Sequence, residues 1–98
     1  MDRTYFVYIL TNKVNTVLYT GVTNDLRRRL AEHRTPSGST FTSRYRVHKL
    51  VYYETYHDPL SAIQREKQIK AGSRRMKLQL INALNPDWRD LDGEISAE

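Results

Sequence analysis

A mixed α+β domain, in the order strand, strand, helix, strand, helix, helix, is predicted by three observations. Aromatic and β-branched residues concentrate in three short runs, apolar residues recur at helical spacing in three others, and turn or capping residues separate them. The length of 98 residues fits one domain, because two would each fall below the usual size.

The first run is Tyr5 to Leu10, and Val17 to Val22 repeats its character after a polar connector containing Asn12 and Asn15, so the two read as a hairpin. Apolar residues fall on both faces of each strand, as expected where helices cover part of a sheet. Thr23 or Asn24 can cap a helix running to about Arg34, with Asp25 complementing the dipole in its first turn and Leu26 and Leu30 forming a narrow apolar stripe. Residues 35–46 are rich in Pro, Gly, Ser and Thr and read as a basic surface loop. Lys49 to Tyr56 is the third strand, with Leu50, Tyr52, Glu54 and Tyr56 expected on one face and Val51, Tyr53 and Thr55 on the other. Asp58 and Pro59 open a second helix, in which Leu60, Ala62, Ile63 and Ile69 recur. Gly72 interrupts it, Ser73 caps a third helix carrying Met76, Leu80, Ala83 and Leu84, with Leu78 and Ile81 widening the stripe, and Pro86 stops that helix. The expected domain spans residues 1–91, with Trp88 and Leu91 as docking anchors, and 92–98 form an acidic tail expected to be disordered.

Charge narrows the partner. Residues 1–80 hold 15 basic and 6 acidic side chains, a balance of +9, whereas 81–98 hold 1 and 5, a balance of −4. A body this basic suits a polyanion, DNA or RNA. The absence of cysteine excludes disulfides, thiol catalysis and cysteine-rich zinc sites. The run at residues 6–10 is too short for a membrane span and lacks the flanks of a signal peptide, so a cytoplasmic protein without membrane attachment is expected, as a monomer or weak homodimer.

The hairpin places Tyr8 and Tyr19 on neighbouring strands, and Arg29 begins close to the end of the second. A phenol is a useful base at neutral pH only beside cations or a metal, and the Arg29 fork suits two oxygens of a phosphodiester. Strand tyrosines and helix arginines more often pack or face water. Glu66 borders the packing face of its helix, where it needs either a basic neighbour (Arg65, Lys67 or Lys70) or a hard divalent cation. Arg27 and Arg28, Arg44 and Arg46, Lys70, and Arg74 and Arg75 lie on segments that could converge on one nucleic-acid-binding surface, with Tyr45, Tyr52 and Tyr53 available to stack on bases. His33 and His57 lack the spacing of a zinc site.

Tyr8, the triplet Tyr19-Thr20-Gly21, Arg29 and Glu66 form an ordered pattern that resembles the GIY-YIG nuclease superfamily, in particular its small stand-alone bacterial branch. Phe6-Val7-Tyr8 stands at the first motif, residues 22–30 follow the family's loop and helix, and residues 66–70 and 85–91 extend the match over about 4–92. The resemblance implies a three-stranded antiparallel sheet flanked by three helices. It further implies a metal-dependent endonuclease, using Mg²⁺ or Mn²⁺ and acting on branched, nicked or damaged DNA, as in DNA repair. On that basis Tyr8 is the general base, Tyr19 positions substrate, Arg29 clamps phosphate, Asn85 closes the pocket and Glu66 binds the metal. His33, one turn from Arg29, is an alternative proton-transfer group. The sequence departs from the pattern at Phe6 for glycine, Thr20 for isoleucine and Val22 for the lysine of repair-type members, a cation that would favour the Tyr8 phenolate. The alternative expectation is a non-catalytic nucleic-acid-binding protein on the same fold.

Overall fold

The computed structural model describes residues 3–35 and 44–95. Strands β1 (Tyr5–Thr11), β2 (Leu18–Thr23) and β3 (Lys49–Tyr56) form one antiparallel sheet in the spatial order β2-β1-β3. Helix α1 (Leu26–Arg34) follows β2, helices α2 (Pro59–Ala71) and α3 (Arg74–Leu84) follow β3, and a 3₁₀ turn spans Leu91–Glu94. This is the predicted fold class and element order. Of the expected surface loop, residues 36–43 lie outside the described residues, as do 96–98 of the expected tail.

Local chemistry explains the boundaries. Asp58 accepts the Ser61 N–H at 2.8 Å with Pro59 in the first turn of α2, and Ser73 accepts the Met76 N–H at 3.1 Å to open α3, as expected. For α1 the cap is Asp25, not Thr23 or Asn24: its carboxylate accepts the Arg28 N–H at 3.1 Å, while the Thr23 hydroxyl accepts the Asp25 N–H at 3.1 Å and props the cap from outside. Strand β2 accordingly runs one residue further than expected, to Thr23.

The sheet separates two apolar clusters. Val7, Ile9, Val51 and Tyr52 pack with Ala62, Ile69 and Ile81 of α2 and α3, whereas Tyr8, Leu10 and Leu50 pack with Leu26 and Leu30 of α1 and with Val47 and Leu91. The assignment of β3 faces is corrected here, since Leu50 lies on the α1 side, away from Tyr52. A register shift between Ile9 and Leu10 pairs Leu10 with Leu50 but Ile9 with Tyr52, leaving Val51 as a bulge residue that restarts the alternation.

The Val51 carbonyl is met from across the molecule. Asn85, buried at the end of α3, donates its amide to Val51 O at 3.2 Å and to Arg89 O at 2.8 Å, while its own oxygen accepts the Arg89 N–H at 3.1 Å. The chain is thereby turned along β3, where Asp90 accepts the Leu50 N–H at 3.2 Å and Leu91 enters the α1-side cluster. Arg34 fastens this segment from the other side, donating twice to His48 O (3.1 and 2.8 Å) and pairing with Asp90 (3.3 Å) and Asp92 (2.9 Å). Trp88 and Leu91 both pack as the expected anchors, and Ile95 follows Leu91 into the same cluster.

Helix α2 inverts part of its expected stripe. Ala62 and Ile69 are buried, but Leu60 and Ile63 are 72% and 39% exposed. The inward-bordering positions between them belong to Arg65 and Glu66. Arg65 reaches β3 and donates through Nε and Nη2 to Glu54 (2.9 and 3.0 Å), which also accepts the hydroxyls of Tyr52 and of Tyr56, the latter at 2.7 Å. Burial works against a charged Glu54, yet Arg65 and the two hydroxyls outweigh it and hold the carboxyl below its ordinary value.

Replacing Asn85 by Ala leaves three backbone groups without their partner, so Asn85→Ala should cost about 2–4 kcal/mol. Urea denaturation will show this as a lowered midpoint, against an exposed control, Gln79→Ala, that should move it by less than about 0.5 kcal/mol.

Candidate functional site

Four of the expected catalytic side chains converge on the α1 face of the sheet. Tyr8 lies opposite Gly21 in the β1–β2 ladder, and a Cβ at residue 21 would stand 2.4 Å from the Tyr8 hydroxyl and 2.5 Å from the ring carbon bearing it. The glycine is thus the floor on which the Tyr8 ring lies. The Tyr8 hydroxyl is hydrogen-bonded to His33 Nε2 at 2.9 Å, and both side chains are fully buried. Tyr19 closes the group, its ring 6.4 Å from that of Tyr8 and 5.1 Å from that of His33, edge-on to the latter.

The electrostatics run opposite to those of a base. Burial pushes the Tyr8 phenol up to about 12, the neighbouring Tyr19 adds to the shift, and the Arg29 guanidinium opposes it without prevailing. At neutral pH the phenolate fraction is on the order of one in 10⁵. Arg29 does favour the phenolate, as expected, but burial and Tyr19 outweigh it. Burial also lowers His33, to about 4, with the Arg29 charge in support, so the imidazole is neutral. Val22, at the position of the family lysine, pairs with Val7 and packs in the cluster on the other face of the sheet.

The charged members are engaged with each other's neighbours. Arg29 donates to Glu32 at 2.9 Å, and Glu66 pairs with Lys70 at 2.8 Å, which settles its choice of basic neighbour. Asn85 is the clamp of the Val51 bulge. The metal assignment does not fit these residues. Among the described residues no group of three or more His, Asp or Glu side chains is placed to hold a metal ion, and the one carboxylate proposed for the task already faces an ammonium.

The basic residues divide by location. Arg46, with a left-handed φ of 55°, joins Lys13, His48 and Lys49 around a concavity at the end of the sheet where the β1–β2 turn lies, and Arg44 stacks 5.5 Å over the Tyr45 ring beside it. Arg74 reaches the same turn, donating to Thr16 O at 3.0 Å. Arg27 is exposed on α1 near the opposite end of the sheet, Arg28 faces Glu32 at 3.8 Å, Lys70 is taken by Glu66, and Arg75 is exposed on α3. His57 is exposed just beyond β3. Tyr52 is buried and bonded to Glu54, and Tyr53 packs against Phe6, so neither offers a free stacking face. Lys13 and Lys49 are additions that the sequence reading missed. Their signal was positional, one in a strand-connecting turn and one at the first residue of a strand.

Comparison with known proteins places the geometry in a lineage. The model of the GIY-YIG catalytic domain matches residues 4–79. A UPF0213 protein of Staphylococcus saprophyticus is 38% identical over 82 residues, covering 84% of this chain and 98% of its own length. One from Clostridium perfringens is 37% identical over 91 residues, covering 93% and 97%. The solution NMR structure of a UPF0213 protein from Bacillus halodurans superposes with a TM-score of 0.57 at 30% identity, covering 89% of this chain and 92% of that one.

The expectation of a Mg²⁺- or Mn²⁺-dependent DNA endonuclease serving repair is overturned. The described side chains provide no metal-binding group, and the matched UPF0213 proteins bear names that state no hydrolytic activity. Catalytic roles were expected of Tyr8, Tyr19, Arg29, His33 and Asn85. What the structure gives the first four is a packed aromatic and cationic cluster, and the fifth a backbone clamp.

Two outcomes follow. Gly21→Ala forces the Tyr8 ring off its floor and away from His33, and should cost about 1–3 kcal/mol in urea denaturation, as overpacked cores do. Because His33 is neutral when folded down to about pH 4, the unfolded chain binds the extra proton between about 6.5 and 4. Stability is then full above that window and falls by up to about 3 kcal/mol as pH drops through it. Denaturation midpoints recorded across this range should flatten in His33→Gln, and an unaltered slope would refute the assignment.

Proposed function

We propose, from the premise that this chain belongs to the GIY-YIG family, that it is a nucleic-acid-binding protein without hydrolytic turnover. One observation carries the reading. Lys13, Arg46 and Lys49 surround a single concavity and make no ion pair among the described residues, whereas the nearby carboxylates of Asp90 and Asp92 are taken by Arg34. Uncommitted cations gathered at one end of a body with a balance of +9 are what a phosphate backbone binds, chiefly by displacing its condensed counterions.

In this reading Arg44, Arg46 and Arg74 contact phosphates near the β1–β2 turn, joined by Lys13 and Lys49. Arg27, Arg28, Arg75 and Lys70 extend the field that draws the polyanion in without lying at that turn. DNA or RNA serves as partner, because phosphate contacts carry no sugar or sequence preference. The protein acts in the cytoplasm as a monomer or weak homodimer. Among the described residues no helix is long and apolar enough to cross a membrane.

Fluorescence anisotropy with labelled single-stranded and duplex DNA across a salt series should give log K falling linearly with log salt, at a slope of about −3 for three to four neutralised phosphates. Arg46→Ala should reduce that slope by about 1. Denaturing gels should show intact strands in Mg²⁺ and in EDTA alike. Absent or salt-independent binding would defeat the proposal.

A further inference from the structure

The concavity at the turn end of the sheet has a composition that a phosphate backbone alone does not require. It encloses about 530 Å³, within the range of small-molecule sites. Val14 and Tyr45 line it while 69% and 43% exposed, the Tyr45 ring carrying the Arg44 guanidinium 5.5 Å from its centre, so two large and partly exposed side chains sit on one depression. Around them stand Lys13, Arg46 and Lys49, cations without carboxylate partners among the described residues, and the Asp90 carboxylate, whose charge Arg34 offsets at 3.3 Å. An apolar and aromatic wall with a cationic rim is complementary to one kind of ligand: a flat apolar ring bearing a phosphate.

Two further features prepare the site. The turn that presents Lys13 and Val14 is braced by Asn12, whose side-chain oxygen accepts the Thr16 and Val17 N–H groups at 2.8 and 3.0 Å and whose amide donates to the Thr16 hydroxyl at 2.8 Å. His48 lines the same concavity, and its Nδ1 is buried with no hydrogen-bond partner among the described residues. Such an orphan nitrogen is costly and is met by a ligand or a water. Its backbone is fixed by Arg34, which donates twice to the His48 carbonyl.

We infer that this concavity takes a single nucleotide splayed out of a strand, its base lying against Tyr45 and Val14 and its phosphate held by Lys13, Arg46 and Lys49. The inference rests on the nucleic-acid reading above and deepens it. In a blunt duplex the bases are stacked and unavailable to the wall, so the site distinguishes single-stranded or unpaired nucleotides from paired ones. The base identity matters little, because every base has a π-face.

The test uses the full chain with a labelled ten-nucleotide thymidine strand, a blunt self-complementary hairpin of equal charge, and free thymidine 5′-monophosphate. Tyr45→Ala should weaken binding of the single strand about tenfold or more, as loss of a stacking platform does, and leave the hairpin within about twofold. Arg46→Ala should weaken both. Thermal melting of each variant confirms that it is folded, which is expected because Tyr45 and Arg46 are exposed. Chemical-shift changes at His48 and Val14 on adding the free monophosphate would support the site and show that one nucleotide suffices, whereas changes with the strand alone would support it with flanking phosphates required. Equal loss on strand and hairpin in Tyr45→Ala, or no loss on either, overturns the inference while leaving the nucleic-acid reading standing. Wild-type protein that binds neither strand nor hairpin overturns both.

Discussion

The irregularity of β3 at Val51 is the constraint on which the rest of the architecture depends. One extra residue in an otherwise regular ladder sends Leu50 to the α1 face and Val51 and Tyr52 to the α2 and α3 face, and so decides which side chains each helix can bury. A bulge leaves a carbonyl outside the ladder, and a buried carbonyl needs a donor. Asn85 is that donor, and its placement dictates where α3 must end and in which direction the chain leaves it. The return of residues 85–95 along β3, the docking of Leu91 and the grip of Arg34 on Asp90 and Asp92 all follow from this one accommodation.

The same geometry separates the proximity of a lineage's motif residues from their reactivity. Proximity is set by the hairpin register and by Gly21, which brings Tyr8 flat against β2 and within reach of His33. Reactivity is set by field and solvent. Here the phenol is buried and shifted away from ionisation, the guanidinium is held by Glu32 and the carboxylate by Lys70. Each charged group has its opposite within one helical turn on its own helix, so the cluster is electrically satisfied from within. Lys13, Arg46 and Lys49, which make no ion pair among the described residues, lie elsewhere, at the turn end of the sheet.

Element order and most boundaries were legible because they depend on local chemistry. The Asp58-Pro59 and Ser73 starts, the Lys49–Tyr56 strand and the Trp88 and Leu91 anchors are written in adjacent residues. The bulge was not legible, since alternation in Leu50 to Tyr56 reads as unbroken and the shift arises only from pairing with β1. Nor was the inward placement of Arg65, which depends on a Glu54 that lies eleven residues earlier on another element. Among the site residues, the company of Tyr8, Tyr19, Arg29 and His33 followed from the pattern, but their protonation did not, because depth of burial is a property of the whole packed domain. Lys13 and Lys49 escaped notice for the converse reason: each is an isolated lysine in sequence, and only the strand ends bring them together.

The fastening of β3 by residues 85–95 also has a consequence for biosynthesis. The central strand must first close a long loop to find β3, and the edge of β3 then stays uncovered until residues 85–95 have followed it. During that interval an aromatic-rich strand presents an open row of backbone groups, the kind of template on which neighbouring nascent chains pair. Residues 85–95 close part of that edge, bringing to it a hydrogen-bond acceptor in Asp90 and, in Asp90 and Asp92, the negative charge that binds Arg34.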